Sequence, residues 1–351
     1  MPSSSGRQSL WIHSARDDLI WFQGSVGAGL LLLAFFVLIG DVQGGYAAGY
    51  PLLVMVFLWG TLFDGTHVWA TYARTYFAPD SGSRAQVPGS WSWLVLLAGP
   101  TMAIIAWKTA IPALFQFFLL AAYLWAYWHL VRQHYGFLML YRRRAGETGA
   151  RGARLDELVL WSGCLYPFLR FSLGNAYTQS GLPQLVPAEL LADERIALDM
   201  AICALAIVFV AIVLLQRVEK LTLGPKHLLM VLVISFHILV FSLLHNLLAI
   251  LATLTIFHNI QYHRIVWMYE RGLGRIPSGG ALRFIGLGLV LGLLWYGLRV
   301  FGVNRLGPSL AGNALMGFCW GIAFHHYLLD SRIWRPSRSP AVSRALSVPV
   351  Q

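Results

Sequence analysis

Leu228-Leu-Met-Val-Leu-Val-Ile-Ser-Phe-His237-Ile-Leu-Val-Phe-Ser-Leu-Leu244 contains no lysine, arginine or glutamate. Val26–Gly40 and Ile196–Leu215 read the same way. A helix of about 20 such residues spans the hydrocarbon core of a bilayer. The whole chain follows suit: 57% of its 351 residues are hydrophobic and 12% are charged. Mean hydropathy is +0.62, whereas a soluble domain carries roughly 25% charged residues. The expectation is an all-α, polytopic membrane helical bundle.

Ten spans can be placed, near Ile20–Gly40, Tyr50–Tyr72, Trp91–Ala110, Leu114–Leu140, Leu155–Leu173, Ile196–Gln216, His227–Leu244, Leu248–Met268, Leu282–Phe301 and Ser309–Leu329. Between Leu228 and Tyr269 no Gly or Pro marks a turn, and only Leu244-His245-Asn246 reads as a hairpin tip. Residues 1–19 form a polar leading segment and 20–331 a single transmembrane domain. Residues 332–351 form a basic tail, whose Arg335–Pro340 stretch reads as a disordered surface segment. Met1–Gln23 lacks the short basic start and apolar core of a cleavable signal.

The net charge of +11 could indicate a nucleic-acid partner, but the arginines lie in short connections between spans. With ten spans, 19 of the 26 Lys and Arg fall on one side, from Arg7 and Arg16 to Arg335 and Arg344. The other side's loops hold Lys108, Arg195 and Arg305. The positive-inside rule then places both termini in the cytoplasm and the chain in the cytoplasmic membrane. Cys164, Cys203 and Cys319 all lie in apolar spans without a C-x-x-C pair, so they read as buried free thiols.

Histidine is costly inside a bilayer and calls for a partner. Of eleven histidines, His13 and His227 read as surface residues and His245 as part of a turn. The other eight share a depth. His67 precedes Arg74 by seven residues; His129 and His134 precede Arg142, and His258 and His263 precede Arg271, by thirteen and eight. His325 and His326 precede Arg332 by seven and six, and His237 follows Lys226 by eleven. At about 1.5 Å per residue, all lie roughly 10–20 Å inside the charged flank. Asp64 lies three residues before His67, and Asp330 four after His326, each pair on one helix face.

A lone histidine in a span usually makes an interhelical hydrogen bond. Eight imidazoles and two carboxylates at one depth point instead to transition metal, and exceed the needs of a single zinc. The expected ligands are His67, His129, His134, His258, His263, His325 and His326, with His237, Asp330 and Asp64 beside them. The pairs His129/His134 and His258/His263 are i, i+5, about 140° apart on an ideal helix. The two rings of a pair therefore face one ion only across a local distortion, or else serve two ions. Gln133, Gln261, Tyr262 and Tyr327 are expected to hold the ligands in place. Arg132, Arg264, Trp128 and Tyr135 are candidates for contacting a substrate headgroup and chain, the arginines alternatively snorkelling to the surface.

His129-Leu-Val-Arg-Gln-His134, His258-Asn-Ile-Gln-Tyr-His263 and the doublet His325-His326 resemble the histidine boxes of integral-membrane non-haem diiron enzymes. These are the fatty-acyl desaturases, lipid hydroxylases and alkane monooxygenases. The doublet lacks the preceding histidine of that pattern. The resemblance implies two iron ions, O2, an apolar lipid-like substrate and an external electron donor. Two other readings stay open. One is a zinc-dependent membrane hydrolase resembling ceramidase-type enzymes. The other is a non-enzymatic haem- or metal-binding protein.

Overall fold

Asn246 begins one of the helices that build the site. Its Oδ1 accepts from the backbone N–H groups of Leu248 and Ala249 at 2.8 and 3.3 Å, the usual way an N-cap satisfies orphan donors. Leu244 is extended, so the chain breaks at 244–246, at the anticipated tip. The computed structural model describes residues 10–39, 50–77, 89–174, 224–275, 280–335 and 339–346, with 177, 182, 198–199, 202–203 and 206 between them. Most of the sixth expected span and of the loop before it lies outside the described residues.

The described residues are helical, with no strand among them. Helix α1 is Ala15–Leu38. Helix α2 joins Tyr50–Trp59 to Gly65–Arg74 through a π-helical segment, Gly60–Asp64. Then follow α3 (Ser90–Thr109), α4 (Ala113–Arg144), α5 (Ala150–Ser172), α6 (Pro225–Leu243) and α7 (Leu247–Gly272). Helix α8 is Gly280–Tyr296, continued by a π-segment Gly297–Gly302 and by Val303–Leu306. Helix α9 is Leu310–Ile333, and α10 is Pro340–Ala345. Helices α1, α3, α4 and α6 are long and apolar enough to cross a membrane. Outward-facing Leu31, Leu38, Trp107, Val231 and Leu294 are each more than 60% exposed, as lipid contact requires. The chain reads as a membrane protein.

Apolar tails of lipid reward helix association no more than leucine does, so close backbone approach has to hold the bundle. Glycine supplies it most closely at two helix pairs among the described residues. A Cβ on Gly317 of α9 would lie 2.4 Å from the carbonyl carbon of Gly99 of α3. A Cβ on Gly65 of α2 would lie 2.6 Å from Cα of Gly292 of α8. At one end of the bundle a buried charge network ties three further helices. Asp156 of α5 accepts from Arg142 of α4 at 2.6 Å and from Lys226 of α6 at 3.1 Å. Glu147 accepts from the same two side chains at 2.9 and 2.5 Å.

Of the Arg335–Pro340 stretch, residues 336–338 lie outside the described residues. Its last two residues open a helix: Ser339 caps α10, and beyond it Val342 and Leu346 are 0% and 2% exposed. Their i, i+4 spacing gives the short helix one apolar face, which buries itself. Arg144 joins the tail to the leading segment, donating to the carbonyls of Leu346 and Ile12 at 3.1 and 2.5 Å.

Candidate metal centre

Helices α2, α7 and α9 repeat one pattern: a histidine and, one turn later, a side chain that bonds to a neighbouring group. The pairs are His67/Thr71, His258/Tyr262 and His326/Asp330. Helix α4 adds His129. The four histidines are between 1% and 7% exposed. One nitrogen from each of His67, His129 and His326, and one oxygen of Asp330, lie within 4.8 Å of one another. Asp330 Oδ2 is 3.6 Å from His326 Nε2 and 3.9 Å from His129 Nε2. His258 Nε2 lies 3.2 Å from His67 Nε2. Donors around an ion bonded at about 2.0–2.2 Å sit roughly 3–4 Å apart, so modest contraction would close this set on one ion.

The hydrogen bonds leave the right atoms free. Asp330 Oδ1 accepts from Tyr262 at 2.7 Å and Thr71 at 3.0 Å, which turns Oδ2 towards the imidazoles. Thr71 Oγ1 also lies 2.8 Å from His326 Nδ1 and against the Tyr262 hydroxyl. With His326 Nδ1 donating to Thr71, Nε2 carries the lone pair. His129 Nε2 and His326 Nε2 are buried with no hydrogen-bond partner among the described residues, as are His67 Nδ1 and His258 Nδ1. Buried imidazole nitrogens without partners are costly. A bound cation satisfies them, and this donor set of three or four nitrogens and one carboxylate oxygen suits a transition metal.

A cavity of about 50 Å³ adjoins the centre. His67, His129, His258 and His326 line it together with Leu130, Leu251, Trp295, Trp320 and Tyr327. Tyr327 stacks on His129 at 4.1 Å. Asp64 and Arg299 also line the cavity. Arg299 donates to Asp64 at 2.5 Å, and Trp295 Nε1 donates to the same oxygen at 2.9 Å.

The other expected residues divide as follows. His325 does not enter the centre: neighbours on an α-helix are about 100° apart. Its ring stacks on Trp93 at 4.2 Å, and its nitrogens meet Tyr72 at 3.0 Å and Ser92 at 3.1 Å. Asp64 is held by Arg299 and Trp295 rather than by an imidazole. His134 turns away from His129, whereas His263 stays beside the centre, its Nδ1 donating to the carbonyl of Asn259 at 2.6 Å and its Nε2 without a partner among the described residues. His134 faces His237 at 5.9 Å between ring centroids, and His263 stands 6.3 Å from His67. Gln133 donates to the carbonyl of His258 at 2.8 Å and Gln261 to that of Phe22 at 2.6 Å, fixing α7 against α4 and α1. None of the four residues expected to touch substrate lines the cavity. Arg264 forms a two-point ion pair with Asp17. Arg132 lies 3.8 Å from Glu157 and over Tyr135, and Trp128 is 43% exposed.

Sequence reasoning overlooked Thr71 and Arg299. Thr71 was marked by standing one turn after His67, and Arg299 by being a charge within an apolar span, which calls for a partner. No protein-family model, curated protein or solved structure matches this chain.

Proposed function

We propose that this chain is an integral-membrane metal-dependent oxidoreductase that uses iron and O2 to oxidise a lipid-like or other apolar substrate. The observation that carries the reading is the set of His67, His129, His326 and Asp330, with unpartnered donor atoms beside a mostly apolar cavity. Nitrogen-rich ligation with one carboxylate and an open side suits non-haem iron, while magnesium and calcium prefer all-oxygen sites. Iron there would supply O2 activation: with two electrons from an external donor and two protons, one oxygen atom enters a C–H bond and the other leaves as water.

The protein's own residues supply the rest. Thr71 and Tyr262 hold Asp330 by one oxygen. Tyr327, Trp295 and Trp320 keep bulk water from the cavity. Its small volume admits O2 and the reacting end of a substrate, the remainder lying among helices. The Arg299–Asp64 pair offers the only charged wall among the residues lining the cavity and would meet a polar group on the substrate.

The test is elemental analysis of protein purified in detergent, paired with O2 uptake over a panel of lipids and isoprenoids. Bound iron and substrate-dependent O2 consumption are expected. His326→Ala should lose the metal and the turnover, and His325→Ala should keep the metal. A protein without transition metal would overturn the proposal. So would one zinc per chain with O2-independent hydrolysis.

A further inference from the structure

Beyond the first set, partnerless buried nitrogens remain on His134, on His237, on the far side of His258 and on His263, the last of these beside the first centre at 6.3 Å from His67. His134 is 1% exposed, and neither of its ring nitrogens makes a hydrogen bond of ordinary geometry; Gln261 is the polar side chain beside it. His237 is 0% exposed. Its Nδ1 donates to the carbonyl of Val233 at 2.8 Å, which leaves a lone pair on Nε2, and that nitrogen has no partner among the described residues. His258 turns Nε2 to His67 and leaves Nδ1 unpartnered. The ring of His134 lies 5.9 Å from that of His237 and 6.5 Å from that of His258. The surroundings are apolar: Phe257 stands 5.0 Å from His134 and Tyr127 5.8 Å from His237, centroid to centroid.

We infer that His134 and His237, joined by Nδ1 of His258, form a second transition-metal site, with the His258 ring lying between the two ions. The reasons are the same as at the first set, and the one unpartnered atom common to both is Nδ1 of His258. Neutral imidazoles with free lone pairs in an apolar pocket lose hydration without replacing it. Two rings bonded to one ion at about 2.1 Å have centroids roughly 5–6 Å apart, which is the His134–His237 separation. The third ring, 6.5 Å from that of His134, has to swing towards the pair before all three bond one ion. Three imidazoles and no carboxylate make this the softer of the two sites, suited to zinc, cobalt or copper as well as iron. Bound through both nitrogens, the His258 ring would release its N–H proton to solvent and bridge the ions as an imidazolate. The inference touches the proposed function only through His258, and it survives if the first centre proves to serve another chemistry.

Cobalt(II) is the probe, added to metal-free full-length protein in detergent and followed by visible absorption and equilibrium dialysis. Wild type should saturate at two ions per chain. His237→Gln and, separately, His134→Gln should saturate at one. Asp330→Asn combined with His326→Gln should also saturate at one, keeping the absorption bands that His237→Gln loses. Size-exclusion profiles in detergent check that each variant is folded. Because two separate variants remove the second site, one that fails to fold leaves the other to decide. Wild type saturating at one ion, sensitive to Asp330 and His326, overturns the second site and leaves the first. Two ions retained in both His134→Gln and His237→Gln also overturn it. No bound ion at all overturns both readings.

Discussion

Thr71 shows how much one hydroxyl can organise. It lies against His326, Asp330 and Tyr262 at once, and so sets which nitrogen of His326 and which oxygen of Asp330 face the centre. Groups that orient metal ligands typically contribute 10–100-fold in affinity. Thr71→Val keeps the shape and removes the hydroxyl. It should therefore weaken metal binding by about 10–100-fold, measured by competition with a chelator. Thr71→Ser should restore most of the loss, and a valine variant binding as tightly as wild type would refute the role. The sequence marks the histidines here far better than the threonine. An imidazole in an apolar span demands an explanation. A threonine in a helix usually satisfies itself on a carbonyl one turn back, as Thr66 does on Leu62 at 2.8 Å. The doublet His325-His326 shows the opposite limit. Two identical neighbours have different fates because helix geometry points them apart, and the tyrosine, serine and tryptophan awaiting His325 come from other elements.

The helices were easier to read than the way they cross. Long runs without charge mark where they lie, and Asn246 and the break at 244–246 fall where a turn was anticipated. Charged partners across helices were not legible. Asp64 pairs with Arg299, 235 positions away, and nothing local to either residue names the other. The π-helical segment Gly60–Asp64 matters here. It adds a residue to one turn but ends at Asp64, so the spacing of Asp64 and His67 stays α-helical, and it is Arg299 and Trp295 that draw Asp64 away from the imidazoles. The glycine contact between α3 and α9 governs the position of two ligands, since α9 carries His326 and Asp330. In Gly317→Leu the added carbons would meet the backbone of Gly99, which cannot yield without separating the helices. The expected outcome is a lowered melting temperature in detergent together with reduced metal content. Gly286→Leu, where a Cβ meets nothing within 4 Å, serves as the control and should change neither.

At the scale of the molecule, two global patterns carry the sequence reading: the common depth of the histidines and the one-sided basic residues. The depth pattern is met by four helices that bring histidines together. It was legible because distance along a helix converts to distance across a membrane. Rotation about each helix axis is what depth leaves open, and rotation separates His326 from His325 and His129 from His134. The basic pattern predicts that single cysteines placed at positions 3 and 349 both react with impermeant thiol reagents from the cytoplasmic face only. Labelling of one from each face would refute ten spans. The π-turn in α2 has a last implication. Because Gly60–Asp64 holds one residue more than an α-turn, the portion of helix before it and the portion carrying His67 are indexed independently. Removing one residue there would close an ordinary α-turn and leave both portions facing as before, whereas removing one from the α-helical Gly65-Thr66 that leads to the imidazole would swing everything before it by about 100°. That turn can give up a residue that the helix beyond it cannot.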